Sequence, residues 1–168
     1  HQSHVPNSVH LDSARIISPR PPITEPLPAP VQLSALLSSL GLTADSHVVA
    51  YADEGGGKAC RLLWTLDVTG HEHYSLLNGG LSAWLNEHHP TSKQRRHVVT
   101  TSYPIRFNDN VIADKHYILG HLHQPTTAIV DCRTPSEYAG HDVLARRGGH
   151  IPGAVNIEWT RVIDQQRN

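Results

Sequence analysis

The chain has 168 residues, 38% of them hydrophobic and 17% charged, with a net charge of −1 at pH 7. This is globular composition without the basic field that holds a nucleic-acid backbone, so nucleic acid is not expected as a partner. No apolar run approaches the roughly 20 residues of a membrane helix, so no membrane partner is expected either. Length alone predicts one domain.

The elements follow in chain order. Residues 19–30 carry six prolines and predict a loop. A helix follows: Pro30 suits its first turn, Leu33, Leu36, Leu37 and Leu40 share one face, and Gly41 stops it. His47 to Ala52 predicts a buried strand. Asp53-Glu54-Gly55-Gly56-Gly57-Lys58 is a glycine-rich loop that opens onto a helix from about Ala59 to Val68. A short strand, Tyr74 to Leu77, leads through Asn78-Gly79-Gly80 to a helix with Leu81, Trp84 and Leu85. Residues 91–112 are polar and irregular and predict an inter-domain linker. Asp114 caps a short helix to about Leu122. Thr127 to Asp131 predicts a strand, Pro135 to Tyr138 a helical turn, and Gly140 to Gly149 a loop. Strands that alternate with helices and read as apolar runs predict an α/β fold, a parallel sheet with helices on both faces.

One segment recurs. His4-Val5-Pro6-Asn7-Ser8-Val9-His10-Leu11-Asp12 matches His150-Ile151-Pro152-Gly153-Ala154-Val155-Asn156-Ile157-Glu158, with identities at His, Pro and Val. Each pair is 146 positions apart. That period is too long for a solenoid repeat and is the size of a whole domain. Each copy predicts a His-x-Pro turn followed by a short β-prone run. The chain begins at His1 and contains no Met. It is therefore expected to hold the back of one domain and the front of a similar one, as a piece of a longer protein.

The loop after the first strand should carry chemistry. Its backbone N–H groups and the helix dipole behind them would stabilise an anion. A Cys at its first position would be a low-pKa nucleophile. Asp53 stands there instead, followed by Glu54, so the nucleophile is missing and the carboxylates would repel an anionic substrate. The two Cys, 72 positions apart, make neither a disulfide framework nor a Cys-x-x-Cys site. Cys60 is expected to pack within its helix. Cys132, between Asp131 and Arg133, is expected to be small and buried rather than reactive. The 14 His include the local pairs His71 and His73, His88 and His89, and His121 and His123. None has the i, i+4 spacing with a carboxylate that marks a helical metal site, so no metal is expected.

Four motifs together carry a resemblance. Gly149 to Asn156 reads as Gly-His-Ile-Pro-Gly-Ala-x-x, with a degenerate copy at Ser3 to His10. Asp131, Arg133, Glu137 and Tyr138 form Asp-x-Arg-x-x-x-Glu-Tyr. Asp53 to Lys58 occupies an active-loop position. Leu77, Gly79, Gly80 and Trp84 form Leu-x-Gly-Gly-x-x-x-Trp. In this order they resemble the rhodanese (thiosulfate sulfurtransferase) family, especially its bacterial two-domain members. The resemblance implies a rhodanese-like α/β fold in two incomplete tandem domains. Residues 1–92 would be the C-terminal part of a first, inactive domain, 93–112 a linker, and 113–168 the N-terminal part of a second, catalytic-type domain. It implies sulfur transfer from thiosulfate or mercaptopyruvate, a small anionic donor, to a thiophilic acceptor, cyanide or a thiol, through a cysteine persulfide. No cofactor is implied, and a monomer in the cytoplasm is expected, with the periplasm left open. No catalytic residue is expected within the chain, since the second loop copy would fall at about position 199, beyond Asn168. Arg133, Arg146, Arg147 and Trp159 would border the pocket. Arg133 could equally pair with Glu158 or Glu137, Arg146 and Arg147 could be solvated loop charges, and Trp159 could cap the core. The alternative function is a non-catalytic rhodanese-like binding module.

Overall fold

The computed structural model describes residues 3–19, 26–53 and 55–164. The chain divides at Ile112 and Ala113 into two compact units, each with its own two-stranded parallel sheet.

In the first unit, helix α1 spans Pro30–Ser39. Pro30 holds its first position, where the missing N–H costs nothing. Leu33, Leu36 and Leu37 are buried, as their spacing predicts. Of the proline-rich loop before it, residues 20–25 lie outside the described residues. Strand β1, Val48–Ala50, runs parallel to β2, Tyr74–Leu76, with Val48 opposite Tyr74 and Ala50 opposite Leu76. Both strands are shorter than predicted. Alternate side chains on a strand face opposite ways: Ala50 is buried while Val49 is 55% exposed, so the run is not the buried one expected. Helix α2, Gly57–Val68, starts two residues before the predicted Ala59. Helix α3 spans Gly80–Asn86. Leu37 of α1, Leu66 of α2 and Tyr103 form the centre of the core. Each fully buried leucine contributes about 1.5–3 kcal/mol of transfer free energy.

Tyr103 lies in the stretch predicted as an irregular linker. That stretch is strapped onto the first unit. The Tyr103 N–H donates to Ser38 Oγ at 2.9 Å, and its carbonyl accepts from Ser34 Oγ at 2.6 Å. The Arg106 and Asn108 N–H groups donate to the carbonyls of Thr69 and Val68 at 3.0 and 2.8 Å. The polar composition concealed this, because one buried aromatic and a row of backbone hydrogen bonds leave no periodicity.

In the second unit, helix α4 spans Lys115–His121, and Asp114 caps it by accepting from the Tyr117 N–H at 2.8 Å. Strand β3, Val130–Asp131, pairs in parallel with β4, Val155–Asn156. Helix α5, Pro135–Ala139, lies between them in sequence. Thr134 and Glu137 cap it reciprocally, the Glu137 carboxylate accepting from the Thr134 N–H and Oγ1–H. Ala154 is the buried hydrophobic side chain among the described residues of this unit, while Val130 and Val155 are exposed.

The repeated segment folds twice into the same turn. The Ser8 N–H donates to Val5 O at 3.1 Å and the Ala154 N–H to Ile151 O at 3.0 Å. Asn7 and Gly153 both have positive φ, 64° and 81°. A 3-10 turn follows in each copy, Ser13–Ile16 and Trp159–Val162. The strands differ. Val155 and Asn156 pair with β3, but Val9 and His10 belong to no strand. The β-prone run predicted for the first copy is therefore absent, because no described strand lies beside it. Its pairing is an isolated antiparallel bridge between His4 and Ser92.

Candidate functional site

In the first unit the loop after β1 lies where a parallel strand delivers its carboxyl end to a helix N-terminus. Gly56 caps α2 in the left-handed region at φ 79° and, as a glycine, offers no capping side chain. Asp53, Gly55, Gly57 and Lys58 are exposed, and Glu54 lies outside the described residues. The loop after β2 fixes this arrangement from the side. The Leu81 N–H reaches Ala52 O at 3.4 Å. A Cβ on Gly80 would sit 2.3 Å from that oxygen, so only glycine fits there. The Gly-Gly of the Leu77–Trp84 motif thus holds the entrance to the Asp53 loop.

In the second unit the turn after β3 is clamped. Arg133 Nε donates to Asp131 Oδ1 and Oδ2 at 3.0 and 3.2 Å, and Nη2 donates to Oδ2 at 2.6 Å. Nη2 also reaches the Gly149 carbonyl at 2.9 Å. The guanidinium hydrogen bond holds the Asp131 carboxyl below its usual range. Asn156 Nδ2 donates to the carbonyls of Asp131 and Arg133 at 2.9 and 2.8 Å. The Trp159 N–H donates to Cys132 O at 3.1 Å. His150 stacks on Tyr138 with ring centroids 3.7 Å apart, and its Nδ1–H donates to Tyr138 O at 2.8 Å. Tyr138 Oη–H donates to Ala154 O at 2.7 Å.

These contacts correct several sequence expectations. Arg133 pairs with Asp131, not with Glu158 or Glu137. Glu137 is occupied at the Thr134 cap, and residues two apart in extended chain point the same way. That i, i+2 acid–base spacing was the available signal. Trp159 is 46% exposed. Cys60 and Cys132 are both exposed rather than packed: Cys60 falls on the open side of α2, and Cys132 on the turn outside the strand pairing. Arg146 and Arg147 are exposed and line a shallow depression with Ala145. Asn156 was missed, although its place within a motif marked it.

Several histidines have partners of their own. His71 is buried; its Nε2–H donates to Ser46 O at 2.9 Å, and its Nδ1 accepts from Tyr103 Oη–H at 2.7 Å. Both ring nitrogens are thereby used. His121 Nδ1–H donates to Tyr117 O at 2.7 Å. Among the described residues no three His, Cys, Asp or Glu side chains converge as a metal site, and no helix is long and apolar enough to cross a membrane.

A sequence model of the rhodanese-like domain family matches residues 1–87 and 114–168. The chain belongs to the rhodanese-like family. It is 42% identical over 166 residues to a thiosulfate sulfurtransferase of Azotobacter vinelandii, covering 99% of this chain and 61% of that protein. It is 40% identical over 166 residues to a thiosulfate sulfurtransferase of Pseudomonas aeruginosa, with the same coverage. The crystal structure of the 3-mercaptopyruvate sulfurtransferase SseA from Escherichia coli superposes with a TM-score of 0.86 at 27% identity, over 96% of this chain and 62% of that one. The chain therefore spans about three fifths of the length of these relatives. Its α/β architecture is rhodanese-like, with helices between parallel strands.

Proposed function

We propose that the protein containing this chain is a sulfurtransferase that moves sulfane sulfur from thiosulfate or mercaptopyruvate to cyanide or a thiol. The observation that carries this is 40–42% identity to two thiosulfate sulfurtransferases along 99% of the chain. In the thiosulfate reaction a cysteine thiolate attacks the outer sulfur, the S–S bond breaks and sulfite leaves. Cyanide then attacks the persulfide sulfur, releasing thiocyanate and regenerating the thiolate. A solved EanB variant carries a cysteine persulfide with ergothioneine; it is 27% identical, with a TM-score of 0.79, over 93% of this chain and 41% of that one.

The chemistry is assigned to a cysteine outside these residues. Asp53 heads the loop where a nucleophile would gain most from the helix N-terminus, and the repeat puts the corresponding loop of a second domain at about position 199. Two tandem rhodanese-like domains, residues 1–92 and 113–168 with a connection at 93–112, are supported by the two family-matched segments and the twice-folded turn. Arg146, Arg147 and Trp159 are assigned to the donor pocket, and the protein to a monomer in the cytoplasm. The test is cyanolysis of the full-length protein after incubation with thiosulfate. One thiocyanate per chain is expected. None from thiosulfate or mercaptopyruvate would favour the second reading, a non-catalytic binding module, whose support is the carboxylate at position 53.

A further inference from the structure

We infer that Arg133 is a positioning residue, which holds the 141–148 loop and its two free arginines in place through the Gly149 carbonyl. The inference rests on the sulfurtransferase reading for its functional consequence, but not for its geometry.

Four residues of the second unit carry a side chain suited to an anionic donor or its surroundings: Arg133, Arg146, Arg147 and Trp159. Arg133 is not available in the same way as the other two cations. Its Nε and Nη2 are spent on Asp131 in a two-pronged pair, and Nη2 is shared with Gly149 O. The pair neutralises the charge that an anion would otherwise meet. Asp131 is itself held at the strand end, since its backbone carbonyl accepts from Ile157 N–H and Asn156 Nδ2. The guanidinium thus connects a fixed point, the β3–β4 pairing, to the exit of the loop. The loop's entry is tied separately, by the His141 and Asp142 N–H groups to Ser136 O at 2.9 and 3.3 Å. Between these ties Arg146 and Arg147 are exposed, and no ion pair of either is found among the described residues. A loop fixed at both ends presents its charges with less ordering cost when an anion arrives.

This assigns different work to residues of the same charge. Arg146 and Arg147 would meet the donor's negative groups, and Arg133 would act on the donor only through them. Double-mutant logic separates the two roles. In the full-length protein, Arg133→Gln is expected to raise KM for thiosulfate several-fold with little change in kcat, and Arg133→Lys to recover part of it. In an Arg146→Gln/Arg147→Gln background, Arg133→Gln is expected to add nothing further. Additive losses would show that Arg133 touches the donor directly and overturn the inference.

A second readout does not depend on activity. Trypsin cleaves after arginine, and Arg146 and Arg147 lie inside the tied loop. Cleavage of Arg133→Gln after Arg147 is expected to be several-fold faster than in the wild type, with cleavage after Arg96 of the first unit unchanged. Asp131→Asn is expected to do the same, because it frees Arg133 from its anchor. Equal cleavage rates in wild type and both variants would overturn the inference even if sulfur transfer is confirmed. Faster cleavage in a protein that transfers no sulfur would leave the clamp standing and remove the functional reading instead.

Discussion

The two units use different means to hold similar turns. The first closes an apolar core of Leu37, Leu66 and Tyr103 under two helices and a strap, and leaves an acidic loop at the helix N-terminus. In the second, the described residues are tied by side-chain hydrogen bonds around Asp131, Arg133, Tyr138 and Asn156. An apolar core responds to pH only through a titratable group buried in it, here the Tyr103 phenol. A polar clamp is specific in direction, and it fails when one charge is removed. The same nine-residue motif makes an isolated bridge to Ser92 in one unit and is half of a strand pair with a charge network in the other.

The sharpest way to break this contrast is in the first core. Leu37→Ala is expected to cost about 2–5 kcal/mol in the denaturant unfolding of the first unit. The Arg133–Gly149 clamp should survive it, with trypsin cleavage after Arg147 under native conditions unchanged. Smaller is Tyr103→Phe, which leaves His71 Nδ1 without a donor and is expected to cost about 1–3 kcal/mol. Its pH signature follows from the direction of the Tyr103 shift. Burial raises the phenol above its ordinary value, partly offset by Thr69, so the folded state favours the neutral form. The resulting stabilisation is full below the unfolded-state value of about 10 and is lost as pH rises through the raised folded value. Alkaline melts of wild type should steepen where those of Tyr103→Phe do not.

The clamp of the second unit titrates at the other end. Asp131 is depressed chiefly by its hydrogen bond to Arg133, so its contribution is present above the unfolded value of about 3.9 and lost as pH falls through the lower folded value. Since Arg133 is partly exposed, the expected loss in Asp131→Asn is about 1 kcal/mol. Acid unfolding of the second unit, followed by hydrogen exchange, should be less steep in that variant than in wild type. The smallest effect is expected at Asp53. Asp53→Ala in the full-length protein should leave turnover within about twofold, since the loop it heads supplies no nucleophile. A tenfold loss would place the first unit in the reaction.

Helix positions were legible in the sequence because their signals are local. Pro30 and the leucine spacing located α1, and Asp114 located the start of α4. The strands were over-read: Thr127 to Asp131 predicted five residues where two pair, because an apolar run does not report where a partner strand lies. Arg133's partner was misread for a similar reason, as motif residues four and more positions away drew attention from Asp131 two positions off. Tyr103 carried no pattern at all. Of the candidate site, the sequence showed Asp53 at the loop position where a cysteine would act and arginines at 133, 146 and 147. Which of those arginines is free needed coordinates.

The proposed sulfur transfer of the full-length protein is assigned to a cysteine other than Cys60 and Cys132. The direct test is thiosulfate loading and cyanolysis of the full-length Cys60→Ser/Cys132→Ser variant beside wild type. One thiocyanate per chain is expected from both. Release by wild type but not by the variant would contradict that assignment and place the persulfide on Cys60 or Cys132.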